Sequence, residues 1–327
     1  MTDTTTRVRL LLAAAIVALG AGVLRPAMAQ TYPTRPITLI VPYDAGGPMD
    51  TMARLVGSIV TDRLKQNVVV ENHGGAGGTI ATRMVMTAAP DGYTLVWGSS
   101  GTLSIAPALY KGVNYDPSTL EPVALVAKLP HVLVVNPSLP VKSVKELVDY
   151  AKANPDKISF GGAMGTPPHL MGALFKSEAG LDATFVPYKG AAQSIIDLLA
   201  GRNQFTFDAL TVLYPLITQG KLRPLAVVDE KRWPPLPDVA TMAESGFPDF
   251  TMIAYCGVLA PPGTPQDIVD KLNAAINQGL ATDDAKAKLL KFSAFAQPGT
   301  PADFAAYVKK ASPRWANLVK ISGASVQ

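Results

Sequence analysis

Ile37-Thr38-Leu39-Ile40-Val41-Pro42-Tyr43-Asp44-Ala45-Gly46-Gly47-Pro48-Met49-Asp50 runs from a short apolar segment through a Gly-Gly corner into helical spacing. About 120 positions later, Ile158-Ser159-Phe160-Gly161-Gly162-Ala163-Met164-Gly165-Thr166-Pro167-Pro168-His169-Leu170 repeats the plan. Each reads as a strand, a Gly-rich turn and the start of a helix. The first turn of a helix carries backbone N–H groups without intrahelical partners, at the positive end of the helix dipole. Such an end favours a carboxylate or phosphate. Two of them facing each other would grip a small anion from both sides. Either loop alone is also an ordinary strand-to-helix junction.

The rest of the chain repeats this alternation. Met52, Leu55, Val56, Ile59, Val60 and Leu64 fall at helical spacing after the strand Ile37–Val41. Strands are expected at Val68–Glu71, Tyr93–Trp97, Val132–Val135, Ile158–Gly161, Thr184–Pro187, Phe205–Phe207 and Leu225–Val228. Helices are expected at Val144–Ala153, His169–Ala179 and Ala191–Ala200, with another ending near Ala89. Strand Ile253–Leu259 is followed by two long helical patterns without strands between them. Alternation of this kind predicts an α/β fold with parallel sheets covered by helices. Ligands of such sheets bind beyond the carboxyl ends of the strands, where both Gly loops lie.

The N-terminus has its own signature. Arg7 and Arg9 precede an apolar run from Leu10 to Leu24, and Ala27-Met28-Ala29 supplies small residues around a cut. This is the layout of a secretory signal peptide over 1–29, cleaved after Ala29. The run falls short of the roughly 20 residues of a spanning helix. Cleavage would remove three arginines and one aspartate, taking the formal charge from +4 to +2. A mildly basic surface suits anionic ligands but is no nucleic-acid footprint, which needs clustered Lys and Arg. The single cysteine, Cys256, excludes an internal disulfide and lies in the apolar run Met252–Ala260, the setting of a buried inert thiol.

Catalytic motifs fail on inspection. Gly74–Gly78 lacks dinucleotide-loop spacing, because Ile80 stands where the third glycine belongs, and reads as a close-packed turn. Gly98-Ser99-Ser100-Gly101-Thr102 misses the nucleophile elbow at Thr102, so its hydroxyls read as donors to a carboxylate. His73, His131 and His169 are scattered without metal-ligand spacing, and no cofactor motif is present. Asp50 reads as a cap or support of the first loop, and Thr166 as the N-cap of the helix after the second. His169 either faces the ligand or packs on its loop. Tyr43 and Tyr188 are either aromatic walls of a cleft or rim packing. The readings left open are a binding protein and an exported hydrolase using Ser99 or Ser100, Asp208 and His169.

A series of motifs in order carries a resemblance over essentially the whole mature chain. They include Tyr32-Pro33-Thr34-Arg35-Pro36-Ile37, Gly46-Gly47-Pro48-Met49-Asp50, Val70-Glu71-Asn72-His73-Gly74-Gly75-Ala76-Gly77-Gly78, Ala89-Pro90-Asp91-Gly92-Tyr93-Thr94-Leu95, Pro167-Pro168-His169-Leu170 and Val186-Pro187-Tyr188-Lys189-Gly190. The chain resembles the substrate-binding proteins of tripartite tricarboxylate transporters, the Bug family of periplasmic receptors. The resemblance implies a two-lobed, type II Venus-flytrap fold, with lobe one at 30–128 plus 254–327 and lobe two at 129–253. It implies a periplasmic, monomeric receptor, not an enzyme, that passes a small organic acid to one large and one small membrane subunit. A ligand-sensing role for a signalling partner is the alternative. The implied contacts are Tyr43, Ala45, Gly46, Gly47 and Met49; Ser99, Ser100 and Thr102; Gly162, Ala163, Met164, Gly165, Thr166 and His169; and Asp208. Met49 stands where the family often has a hydroxyl residue, Ala209 where it has Asn, and Tyr255 where Trp is frequent. These departures point to an aromatic or longer-chain carboxylate, with a dicarboxylate also open.

Overall fold

The apolar run Ile37–Val41 becomes β1, at the centre of three parallel strands with β2 (Val68–Asn72) and β3 (Thr94–Ser99) on either side. The structure is a computed structural model that describes residues 32–113 and 115–326. The expected leader 1–29 and its cleavage site lie outside the described residues. Helix α1 (Pro48–Leu64) follows β1, with Gly47 extended at its N-cap and Pro48 in its first turn. Helix α2 (Thr79–Met86) follows β2 and ends before Ala89. After β3 come a short π-helical turn, Gly101–Ile105, and α3 (Ala106–Leu109).

Strand β4 (Glu121–Leu129) has no counterpart among the sequence expectations. Its Ala, Leu and Lys residues suit helix and strand alike, and pairing with other strands decides the matter. One residue beyond it begins β5 (His131–Val135), the first strand of a second sheet. There follow α4 (Val144–Ala153), β6 (Ile158–Ala163), α5 (Pro167–Ala179), β7 (Ala183–Tyr188), α6 (Ala191–Leu199), β8 (Phe205–Ala209), α7 (Leu210–Thr218) and β9 (Arg223–Val228). Strand β10 (Ala254–Ala260) returns to the first sheet, followed by α8 (Gln266–Leu280), α9 (Asp283–Leu290), β11 (Phe295–Ala296) and α10 (Pro301–Ser322). The sheet orders are β11-β4-β10-β3-β1-β2 and β7-β6-β8-β5-β9.

Both sheets are mixed, which corrects the expectation of parallel ones. β10 runs antiparallel to β3 and β4, and β5 antiparallel to β8 and β9. The cause is the double crossing of the chain. β4 runs in the direction of β1 and β3, leaves its sheet at the shared cleft, and β5 therefore enters the second sheet from the cleft side. The return through 229–253 sends β10 into the first sheet the same way. All remaining strands but the short β11 thus point their carboxyl ends at the cleft, which places the loops after β1, β3, β6 and β8 around one space.

The core behind that space lies in several apolar clusters. Phe160 stacks on Phe205, and Phe175 meets Phe205 and Phe207 edge-on beneath the second sheet. Helix α10 is shared. Phe304 packs under the first sheet, with Tyr307 and Val308 against it, whereas Trp315, Leu318 and Val319 belong to the aromatic core of the second. From Arg35 onward the chain packs as one compact unit. Cys256 is fully buried on β10. Among the described residues no helix is long and apolar enough to cross a membrane.

Candidate functional site

The β1–α1 loop is built around Asp50. Its carboxylate accepts from the Gly46 N–H at 2.8 Å, Arg54 Nε at 3.0 Å and Asn72 Nδ2 at 2.9 Å. Asn72 Nδ2 also donates to the Tyr43 carbonyl at 3.0 Å. Burial pushes the Asp50 carboxyl up, but the bonds from Arg54, Gly46 and Asn72 outweigh it and hold it below the usual range. Gly46 sits at φ +84, a left-handed turn that a side chain rarely adopts. Asp50 is therefore a support of the loop. Its work leaves the N–H groups of Gly47 and Met49 without backbone partners at the mouth of α1.

Tyr43 and Ser99 are joined Oη to Oγ across the first lobe. Burial raises the Tyr43 phenol to about 12, so it stays a neutral hydroxyl. Thr102 turns back instead: its Oγ1 accepts from the Ser99 N–H at 3.0 Å, and its own N–H donates to Ser99 Oγ at 3.3 Å. The Gly74–Gly78 run packs beneath this assembly. A Cβ on Gly78 would stand 2.6 Å from Thr102 Cγ2 and 2.9 Å from Pro42 Cβ, and one on Gly74 would run into Asp44 Oδ1.

The second loop differs from its sequence reading. Thr166 is at the N-cap position of α5, but its hydroxyl donates to the Ala163 carbonyl at 2.7 Å and caps nothing. The Thr166 N–H also goes to that carbonyl, and the Gly165 N–H donates to His169 Nδ1 at 3.2 Å. Pro167 and Pro168 have no N–H to offer. Most donors of this loop are thus spent on its own shape, so the grip on an anion is not symmetrical. His169 packs on the loop: its ring stacks on Phe185 at 3.8 Å, and burial lowers it to about 4. Tyr188 donates to Asp197 at 2.7 Å and accepts from Asn203 at 2.9 Å, away from the cleft.

Between the loops lies a cavity of about 440 Å³. The first lobe lines it with Pro42, Tyr43, Asp44, Met49, Ser99, Ser100 and Gly101, with Gly74, Gly75, Gly77 and Gly78, and with Ile105, Ala106, Leu109 and Tyr110. The second contributes Met164, Gly165, Thr166, Pro167 and Ala209, and the strand crossings add Leu129, His131 and Ala254. Of the expected contacts, Tyr43, Met49, Ser99, Ser100, Met164, Gly165 and Thr166 meet here. Ala45, Gly46, Gly47, Thr102, Gly162, Ala163, His169 and Asp208 stand behind or beside the lining. Asp44 falls within the loop Tyr43–Met49 that the resemblance pointed to, whereas His131, the Gly74–Gly78 run and the apolar face of α3 were missed. The only signal for His131 was its place directly after Pro130, at the entry to the expected strand Val132–Val135.

The members of the hydrolase constellation are engaged separately. Ser99 bonds Tyr43, His169 bonds Gly165, and Asp208 accepts from the Ala209 N–H at 2.7 Å. Burial raises the Asp208 carboxyl to about 6. Among the described residues no cluster of metal-ligating side chains occurs. What the cavity offers is unspent N–H groups, hydroxyls and apolar wall, which is equipment for holding a solute.

The comparisons with known proteins agree with this geometry. The model of the tripartite tricarboxylate transporter family receptor (TctC) matches residues 52–323. Protein BugT of Bordetella pertussis is 37% identical, the match covering 98% of this chain and 99% of BugT. The solved structure of Rpa4515 of R. palustris with adipate superposes with a TM-score of 0.77 at 38% identity, covering 90% of this chain and 99% of that one. MatC of Rhodopseudomonas palustris with bound malate gives 0.73 at 34% identity, covering 88% and 100%. The architecture is the two-lobed α/β fold of periplasmic binding proteins, and these relatives are solute receptors, not enzymes. The chain belongs to the TctC family of tripartite tricarboxylate transporter receptors, the Bug proteins.

Proposed function

We propose that this protein is an exported receptor that closes on a small organic carboxylate and hands it to the large and small membrane subunits of a tripartite transporter. The observation that carries the reading is the cavity between the sheets, walled by the loops after β1, β3 and β6. A carboxylate fits the free N–H of Met49 on the lining and that of Gly47 beside it, at the positive end of α1, with the Ser100 hydroxyl on the adjoining wall. Met49, Ile105, Leu109, Leu129 and Met164 suit an apolar body, so an aromatic or longer-chain acid is favoured over citrate. Adipate in Rpa4515 and malate in MatC set the scale of solute that relatives hold.

Closure follows from the division of contacts. Neither lobe surrounds the solute alone, so the bound solute favours the closed arrangement by its differential affinity. In this reading 30–128 with 254–327 and 129–253 are the two moving lobes, hinged at Pro130 and 229–253. Residues 1–29 serve as the export signal, cut after Ala29, and the mature chain works as a monomer in the periplasm. Thermal melting against mono-, di- and tricarboxylates, aromatic and aliphatic, tests the core of the reading. A solute that binds only the folded state raises the melting temperature. One acid that does so and is recovered unchanged supports it; silence across the panel refutes it.

A further inference from the structure

The hydrogen-bonding sense of two side chains on the cavity lining narrows the solute. His131 opens β5 at the strand crossing and is 4% exposed. Its Nδ1 lies 3.1 Å from the Leu129 carbonyl. A carbonyl only accepts, so Nδ1 carries the proton. Burial lowers the imidazole to about 4, so the ring is neutral and Nε2 is left as a bare lone pair. The buried side-chain atoms that lack both a partner and access are Trp97 Nε1, Tyr115 Oη and Trp233 Nε1. Nε2 of His131 is not among them and has no partner in the described residues, so it opens where His131 lines the cavity.

Asp44 is the second such group. It is exposed, lies on the same lining and bonds to no cation among the described residues, and its carboxylate sits on Gly74, where a Cβ would displace it. It is also the one residue on that lining with a formal charge at neutral pH, and no Lys or Arg is there to answer it. The neighbouring hydroxyls of Tyr43 and Ser99 bond each other. The wall therefore presents two acceptors that the protein itself leaves unanswered.

We propose that the cleft selects carboxylates bearing a hydrogen-bond donor on the carbon skeleton, a hydroxyl or an ammonium, with His131 Nε2 and Asp44 as its acceptors. This rests on the receptor reading above and makes these two residues determinants of specificity within it. A solute without the donor would leave a desolvated nitrogen unpaired, and sites of this kind discriminate strongly against the analogue that lacks the group. At Asp44 an ammonium gains charge as well as a bond, so amino acids should outrank hydroxy acids there.

Calorimetric titration of the full chain with matched series tests this. The series are succinate, malate and aspartate; adipate, 2-hydroxyadipate and 2-aminoadipate; and phenylacetate, mandelate and phenylglycine. In the series whose skeleton fits, the substituted members should bind at least about tenfold more tightly than the plain acid. His131→Asn keeps a donor for the Leu129 carbonyl but loses the Nε2 position, and should erase that preference while the plain acid still binds. His131→Gln, which returns an acceptor near Nε2, should restore part of it. Asp44→Asn, at an exposed position, should bring the amino acid down to the hydroxy acid. A plain acid that binds as tightly as its substituted partners overturns the inference and leaves the carboxylate receptor standing. An unchanged preference in both His131→Asn and Asp44→Asn also overturns it. If no acid of any series binds, the receptor reading itself falls.

Discussion

Replacing Asp208 by Asn should stabilise the protein at neutral pH and do nothing at acid pH. The carboxyl is 6% exposed near the end of β8, and among the described residues the Ala209 N–H is the one bond it accepts. Burial raises it from 3.8 to about 6, so the folded state holds the proton more tightly than the unfolded chain. The sign follows: at low pH both states are protonated and the group costs nothing. As pH rises through the window from about 4 to about 6 the folded state must ionise a buried acid, and stability falls. At about 1.4 kcal/mol per tenfold change in proton affinity, the full loss is about 3 kcal/mol. Asn keeps the shape and an oxygen for the Ala209 N–H but never ionises. Urea unfolding of both proteins at pH 4 and 7.5 gives the answer, with a gap of about 2–3 kcal/mol in favour of Asp208→Asn at the higher pH only. A gap that is the same at both pH values, or a less stable variant, refutes the burial argument. Solute affinity should stay within about threefold, because Asp208 stands behind the lining.

Asp50 should behave in the opposite sense. Asp50→Ala removes three bonds from the first loop, and urea melts at neutral pH should show a loss of about 2–3 kcal/mol with at least tenfold weaker solute binding. Because its folded carboxyl is held low, that contribution is present above the ordinary carboxylate range and fades as pH falls through the folded value, so the melts should converge in acid. Gly165→Ala should lose about 1–2 kcal/mol of stability in denaturant unfolding, since Gly165 has φ +72 and an added Cβ would overlap Leu109 Cδ2 across the cleft. Its solute affinity should fall further than its stability if the two lobes meet there on closure. Cys256, fully buried with its thiol pushed up by burial, should resist an aromatic disulfide reagent in the native protein and react at once in denaturant.

Much of the architecture could be read from periodicity. Helix Val144–Ala153 falls where its spacing placed it, with Ser143 as its N-cap, and the two Gly corners do end strands and open helices at one cleft. Local chemistry suffices for such features: Gly46 permits the left-handed turn, and Pro48 suits a first helical turn wherever they occur. The support role of Asp50 was likewise legible, because its nearest partner, the Gly46 N–H, is four residues away.

Other features belong to the fold alone. The direction of β5 and β10 depends on which side of a sheet the crossing chain enters, and no local pattern records that. The two Gly loops look equivalent as sequence, yet the first keeps its N–H groups because Asp50 takes only that of Gly46, whereas His169 and Ala163 consume those of Gly165 and Thr166. His131 became part of the cavity only through the pairing of its neighbours, and the proton on its Nδ1 is set by the carbonyl of Leu129. The sequence by itself determined most of the elements, though not β4, together with the glycine corners and the family, because these rest on backbone preferences and short-range bonds. Which donors remain free and which acceptors face the solute was decided by tertiary structure, because a hydrogen-bonding group answers to whatever partner the fold brings within about 3 Å.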